Sequence, residues 1–214
     1  MIVSRGRRYI FVHIPKTGGT ALALALEARA MADDLLIGDT PKARRRRGRL
    51  KGLRPRGRLW KHSTLADIEG VVDAAELDGF FTVTLVRNPW DRLVSYWHWL
   101  RMQTFGHPAV ALAKSTDFKG FLADPDIGAS LRAHPYAAYM TDAEGRERAS
   151  LYIRLEHFDM DAEPFFAHLG FRLDLPRANA SDRARDWRRY YDEATAARVA
   201  DLCAEDIARF GYAF

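Results

Sequence analysis

The residues best equipped for chemistry fall in two short runs, with one histidine between them. The first run, HIPKTGGT at positions 13–20, sets Lys16 beside two hydroxyls (Thr17 and Thr20) and the pair Gly18–Gly19. Glycines let a backbone approach a ligand closely, the start of a helix presents unpaired N–H groups, and lysine adds positive charge. That combination suits an anion such as a phosphate. The order departs from the usual G-x-x-x-x-G-K-[ST] phosphate loop, because the lysine comes before both glycines. Taken alone, the run serves equally well as a structural turn. The second run, TLVRNPWDRLVSYW, puts Arg87 where a strand would end and Ser95 eight residues later, about two helical turns on. Open α/β sheets bind ligands outside the carboxyl ends of their strands, where Arg87 would face the same crevice as the first loop. The plain alternative pairs Arg87 with a carboxylate such as Asp91 and leaves Ser95 filling a small core position.

These residues need elements to position them. Arg8–Ile14 (RYIFVHI) is rich in β-branched and aromatic residues and reads as a buried strand. PKTGG follows as a loop, and Thr20 opens a stretch of strong helix formers, so the order is strand, glycine loop, helix. Residues 33–58 read as an exposed loop, and His62–Glu69 as a short helix with Ser63 or Thr64 as its cap. Phe80–Val86 is the second clear strand, after which Pro89 suits the first turn of a helix. Short helices broken by Pro and Gly fill 107–149. Ser150–Leu155 is a third strand candidate, and helices near Glu163–Leu169 and Glu193–Phe210 close the chain. Two strand-to-helix units imply parallel strands with helical crossovers, hence an α/β fold with a central, mostly parallel sheet flanked by helices. With no repeat or linker, residues 1–214 are expected to form one domain.

Both runs together resemble the sulfotransferases that use 3′-phosphoadenosine 5′-phosphosulfate (PAPS). HIPKTGGT looks like their 5′-phosphosulfate loop, LVRNPWDRLVSYW like their 3′-phosphate strand and helix, and the nearest flavour is the carbohydrate and heparan O-sulfotransferase branch. The C-terminal stretch NASDRARDWRRYYDEATAARVADLCAEDIARFGY is similar to the same branch. The resemblance implies a P-loop-like nucleotide-binding fold and PAPS as donor, with PAP as product. It implies that Lys16, Thr17, Gly18, Gly19 and Thr20 bind the phosphosulfate, that Arg87 and Ser95 bind the 3′-phosphate, and that Ser181 and Arg183 border the nucleotide. Lys16 would steady charge on the departing phosphate oxygen, and His62, in WKHSTLADI, would take the proton of the attacking hydroxyl. No metal is expected, since the transferred group carries less charge than a phosphoryl group. The acceptor would be a hydroxyl, in this branch on a carbohydrate.

Composition narrows the alternatives. The 214 residues are 48% hydrophobic and 29% charged, which fits a globular chain with its own core. The net charge of +5 is concentrated: Lys42–Arg58 holds ten basic residues and no acidic one, and the rest of the chain is net acidic. That segment suits either a solvated loop or the recruitment of an anionic acceptor. The acidic remainder and the absence of a nucleic-acid module argue against a nucleic-acid partner. A lone cysteine, Cys203, reads as a small buried hydrophobe. With no span-length apolar run or signal pattern, a cytoplasmic location is expected. Two rival functions stand: a P-loop kinase, which would need the lysine after the last glycine and an acidic strand end, and a non-enzymatic polyanion-binding module.

Overall fold

The structure, a computed structural model, describes residues 1–176, 184 and 186–214. They cluster into two compact units, one built from Met1–Val86 with the stretch from Tyr136, the other from Arg87–Pro135 with the C-terminal stretch to Phe214. In chain order the first stretch contributes β1 (Ile2–Ser4), β2 (Tyr9–Val12), α1 (Gly19–Ala28), β3 (Leu35–Leu36), α2 (Pro41–Arg46), α3 (Ala74–Asp78) and β4 (Phe81–Val86). Four helices follow: α4 (Pro89–Arg101), α5 (Pro108–Ser115), α6 (Phe118–Ala123) and α7 (Pro125–Ala133). After them come α8 (Tyr136–Tyr139), β5 (Leu151–Arg154), α9 (Phe158–Asp161), α10 (Glu163–Leu169), α11 (Glu193–Leu202) and α12 (Ala204–Phe210).

The fold is α/β, with a five-stranded sheet in the first unit in the order β3-β1-β2-β4-β5. The expected strands pair in parallel, β2 with β4 (Phe11 opposite Val83) and β4 with β5 (Leu85 opposite Ile153). β1 and β3 extend the sheet in antiparallel fashion and were not foreseen; at three and two residues they are too short to show a periodicity. Alternation sorts the strand side chains to two cores. Ile2, Tyr9, Phe11, Val83, Leu85 and Ile153 meet Leu22 and Leu26 of α1 and Phe165 and Phe166 of α10 on one face. On the other, Val3, Ile10 and Val12 meet Leu65, Ile68, Val72, Leu77 and Met140. Thr84 faces that second side yet is fully buried, because its hydroxyl donates to the Val12 carbonyl at 2.8 Å.

The segment expected as an exposed loop is ordered locally. Thr40 caps α2, its hydroxyl accepting from the Ala43 amide at 3.1 Å, with Pro41 at the first helical position. The arginines that follow are good helix formers, and Arg44, Arg45 and Arg46 fall in the last turn, where positive charge meets the negative end of the dipole. The Thr40 hydroxyl also donates to the Glu27 carboxylate at 2.7 Å. Burial raises the Glu27 carboxyl pKa, while Thr40, Lys42 and Arg46 oppose the shift.

The second unit is helical. Trp90, Leu93, Trp97 and Leu100 of α4 form a stripe that packs with Phe118, Phe121, Ile127, Val199 and Leu202. The last helix is two: Cys203, at φ −116° and ψ 24°, separates α11 from α12. No Gly or Pro marks that break in the sequence. Among the described residues no helix is long and apolar enough to cross a membrane.

Replacing Thr40 with Val removes both the α2 cap and a donor to a buried carboxylate. We expect a loss of about 1–3 kcal/mol, read as a lowered urea midpoint, with faster hydrogen exchange at residues 43–46.

Candidate active site

The strand β2 ends at Val12, and His13 and Ile14 lead into the loop. Lys16 stands at φ 67° and Gly18 at φ 88°, while Thr17 between them keeps a negative φ. A backbone whose φ changes sign in this way curls its amides toward one side, the geometry of an anion-holding nest. A non-glycine residue at positive φ is a cost that ordinary loops avoid, and here it falls on the lysine. The Thr17 hydroxyl is fully buried and donates to the Ile14 carbonyl at 2.9 Å, so this threonine holds the turn together from inside. Thr20 lies in the first turn of α1 and is partly exposed.

The two glycines answer different needs. Gly18 supplies the left-handed conformation, and a Cβ there would also meet Leu155 Cδ1 at 2.8 Å. At Gly19 the reason is contact: a Cβ would stand 2.1 Å from Cδ2 of His13. The His13 ring therefore lies directly against the start of α1. It is buried, and burial holds its pKa well below the usual histidine value, helped by positive charge nearby and by His62.

His62 completes the group. Its ring meets that of His13 edge-on, 4.7 Å between centroids. Its Nδ1 lies 2.7 Å from the His13 carbonyl oxygen. A carbonyl can only accept, so Nδ1 carries the proton and Nε2 of neutral His62 keeps its lone pair. Burial lowers the His62 pKa to about 4, against the hydrogen bond to His13 that favours the charged form. The expected short helix after His62 is a single 3₁₀ turn, Ala66–Ile68. Its N-cap is Leu65, without a side-chain bond, so neither Ser63 nor Thr64 is the cap. Thr64 instead braces the turn, its amide and hydroxyl donating to Asp67 while its oxygen accepts from the Asp67 amide. Next to His62, Lys61 pairs with Asp39 at 2.7 Å. These two, with His13, Thr20, Glu27 and Thr40, line a recess of about 10 Å³, room for about one water.

The second run sits at the start of the helical unit. Asn88 caps α4 by accepting from the Trp90 amide at 3.1 Å, and Pro89 takes the first helical position. Nε and Nη2 of Arg87 donate to Asp91 Oδ2 at 2.8 and 2.6 Å. The structural pairing weighed from the sequence is thus present, and it fixes the guanidinium. Ser95 is buried on α4. Ser181 and Arg183 lie outside the described residues. Among the described residues, no cluster of three or more His, Cys, Asp or Glu is placed to hold a metal ion.

No family model matches this sequence, and no curated protein matches it. Among solved structures, the chain is similar to a mouse sulfotransferase, SULT7A1, complexed with PAP. The two share 18% identity, covering 94% of this chain and 84% of that one, with a TM-score of 0.44. A likeness of that degree assigns nothing to individual residues.

Sequence reasoning named Lys16, Gly18, Gly19 and His62 as candidates and left His13 out. The signal for His13 was its position, since the residue that ends a strand before such a loop has its carbonyl and its ring at the loop's base.

Two outcomes test this geometry. Gly19→Ala displaces the His13 ring and should cost about 1–3 kcal/mol, seen as a lowered melting temperature and a shifted His62 ring signal in NMR. The second concerns pH. Because His62 binds its proton less readily when folded, the unfolded chain takes up more protons between about pH 6.5 and 4. Its contribution is fully present above pH 6.5 and is lost as pH falls toward 4, a change on the order of 3 kcal/mol. Urea midpoints measured across that window should fall less steeply for His62→Asn than for the wild type.

Proposed function

We propose that the protein is a sulfotransferase that moves the sulfuryl group of PAPS to an acceptor hydroxyl, with a carbohydrate as the acceptor class. The observation that carries this is the hydrogen bond from His62 Nδ1 to the His13 carbonyl. It ties a neutral imidazole, with Nε2 able to accept, to the base of a loop shaped for an anion. A base and an anion-holding loop on one scaffold are what sulfuryl transfer requires.

The chemistry proceeds as an in-line displacement. His62 Nε2 takes the proton from the acceptor hydroxyl as its oxygen forms a bond to sulfur. The bond from sulfur to the bridging oxygen of the 5′-phosphate breaks, and PAP leaves with that oxygen and the electron pair. Lys16 and the amides at the start of α1 steady the charge that develops there. In this scheme Lys16, Thr17 (through its backbone amide, its hydroxyl being bonded to Ile14), Gly18, Gly19 and Thr20 hold the phosphosulfate, Arg87 and Ser95 hold the 3′-phosphate, and residues 1–214 act as one catalytic domain. The role of Arg87 rests on the resemblance of its motif, since Nε and Nη2 of its guanidinium are paired with Asp91 in this structure.

Calorimetric titration with PAP, run beside ATP with magnesium, tests the donor. We expect PAP to bind and ATP not to. ATP binding without PAP would make the protein a kinase, and binding of neither would leave a polyanion-binding module. Lys16→Ala and Arg87→Ala should each abolish transfer in a folded protein. Unchanged PAP affinity in Arg87→Ala would remove the 3′-phosphate assignment. His62→Ala should bind PAP normally and lose about 10²–10⁴-fold in turnover, the range for a general base.

A further inference from the structure

The basic segment divides into two sets by what its side chains touch. Lys42, Arg46 and Arg49 donate to the carbonyls of Glu27, Met31 and Ala32, closing the end of α1 and the turn beyond it. Arg56 pairs with Glu69 at 2.9 Å. These cations serve the fold. Arg58 does not belong with them: it is exposed and makes no ion pair among the described residues. Its guanidinium carbon instead lies over the ring of Trp60, 4.9 Å from the centroid. The Trp60 ring in turn meets the His62 ring edge-on, with centroids 5.0 Å apart and planes at 85°. Trp60 is 39% exposed, so part of its indole is open to a ligand beside His62.

An arginine resting on an aromatic face is held in orientation without losing its charge or its fork of N–H donors. Such a fork binds a carboxylate or sulfate through two parallel hydrogen bonds. An exposed indole beside it offers a flat apolar surface for the C–H face of a sugar ring. We propose that Arg58 and Trp60 form the acceptor-recognition site and that the acceptor is an acidic sugar. Its ring packs on Trp60, its carboxylate or sulfate is held by Arg58, and the reacting hydroxyl is turned toward His62. This rests on the sulfotransferase function proposed above. Arg45, Arg47, Lys51 and Arg54 are exposed without ion pairs among the described residues, and they supply the longer-range attraction for such an acceptor.

The test is an NMR titration of the full chain with an unsulfated octasaccharide containing glucuronic acid, beside maltooctaose as the neutral control. The indole N–H of Trp60 and the ring of His62 should shift with the acidic saccharide and not with the neutral one. Arg58→Ala should weaken acidic binding about tenfold, as loss of a charge-assisted hydrogen bond does, and Arg58→Lys should recover part of it. Arg45→Ala removes the same charge from the same segment and should change affinity less than about twofold. The proposal falls if the acidic saccharide leaves Trp60 and His62 unmoved, or if Arg58→Ala acts no more strongly than Arg45→Ala. It falls equally if single-stranded DNA of matched charge binds as well through the same two residues. A parallel PAP titration separates the two claims. PAP binding without a saccharide response removes the acceptor site alone, and saccharide binding through Arg58 and Trp60 without PAP binding removes the donor.

Discussion

A missing side chain at Gly19 is the constraint on which the candidate site depends. Because no Cβ stands there, the His13 ring packs against the first turn of α1, at the same residue whose carbonyl faces His62. The backbone carbonyl then takes the Nδ1 proton of His62. One residue, His13, thereby meets Gly19 with its ring and fixes with its carbonyl the tautomer of a histidine 49 positions along the chain. The same turn keeps Lys16 in the left-handed region, a conformation that a loop without such support would relax out of.

Charge in the first unit is arranged around this group. Glu27 sits inside, held by Thr40, with Lys42 bonded to the carbonyl of the same residue. Asp39 is paired with Lys61, and burial, Lys61 and Asp39 all act on His62. A neutral imidazole among such charges is a product of desolvation, which outweighs the carbonyl that would favour its protonated form. The second unit uses the same logic differently. There Asp91, in the first turn of α4, holds Arg87, which lies just before the helix, and Asn88 between them caps it.

Much of the fold is legible in the sequence. The strands β2, β4 and β5 read directly from buried runs of β-branched and aromatic residues, and their parallel pairing from the helices between them. The loop was visible because lysine, threonine and paired glycines have few reasons to be adjacent. β1 and β3 escaped, since two or three residues cannot display alternation and their place is set by the sheet edge they extend. The basic segment misled for another reason. A dense run of arginines looks solvated, and nothing local announces that Lys42, Arg46 and Arg49 will find backbone carbonyls at the end of α1. The contact of the His13 ring with Gly19 was equally hidden, being a matter of space and not of residue type.

Cys203 is the lone cysteine of the chain, and it lies at the joint between α11 and α12 with its side chain in the aromatic core of the helical unit. Burial pushes its thiol up to about 11, so in the folded protein it is both shielded and protonated. A thiol reagent therefore has to wait for this part of the core to open before it can react. The molecule carries its own single-site clock for that opening, placed far along the sequence from the loop and from His62, and readable without introducing another cysteine.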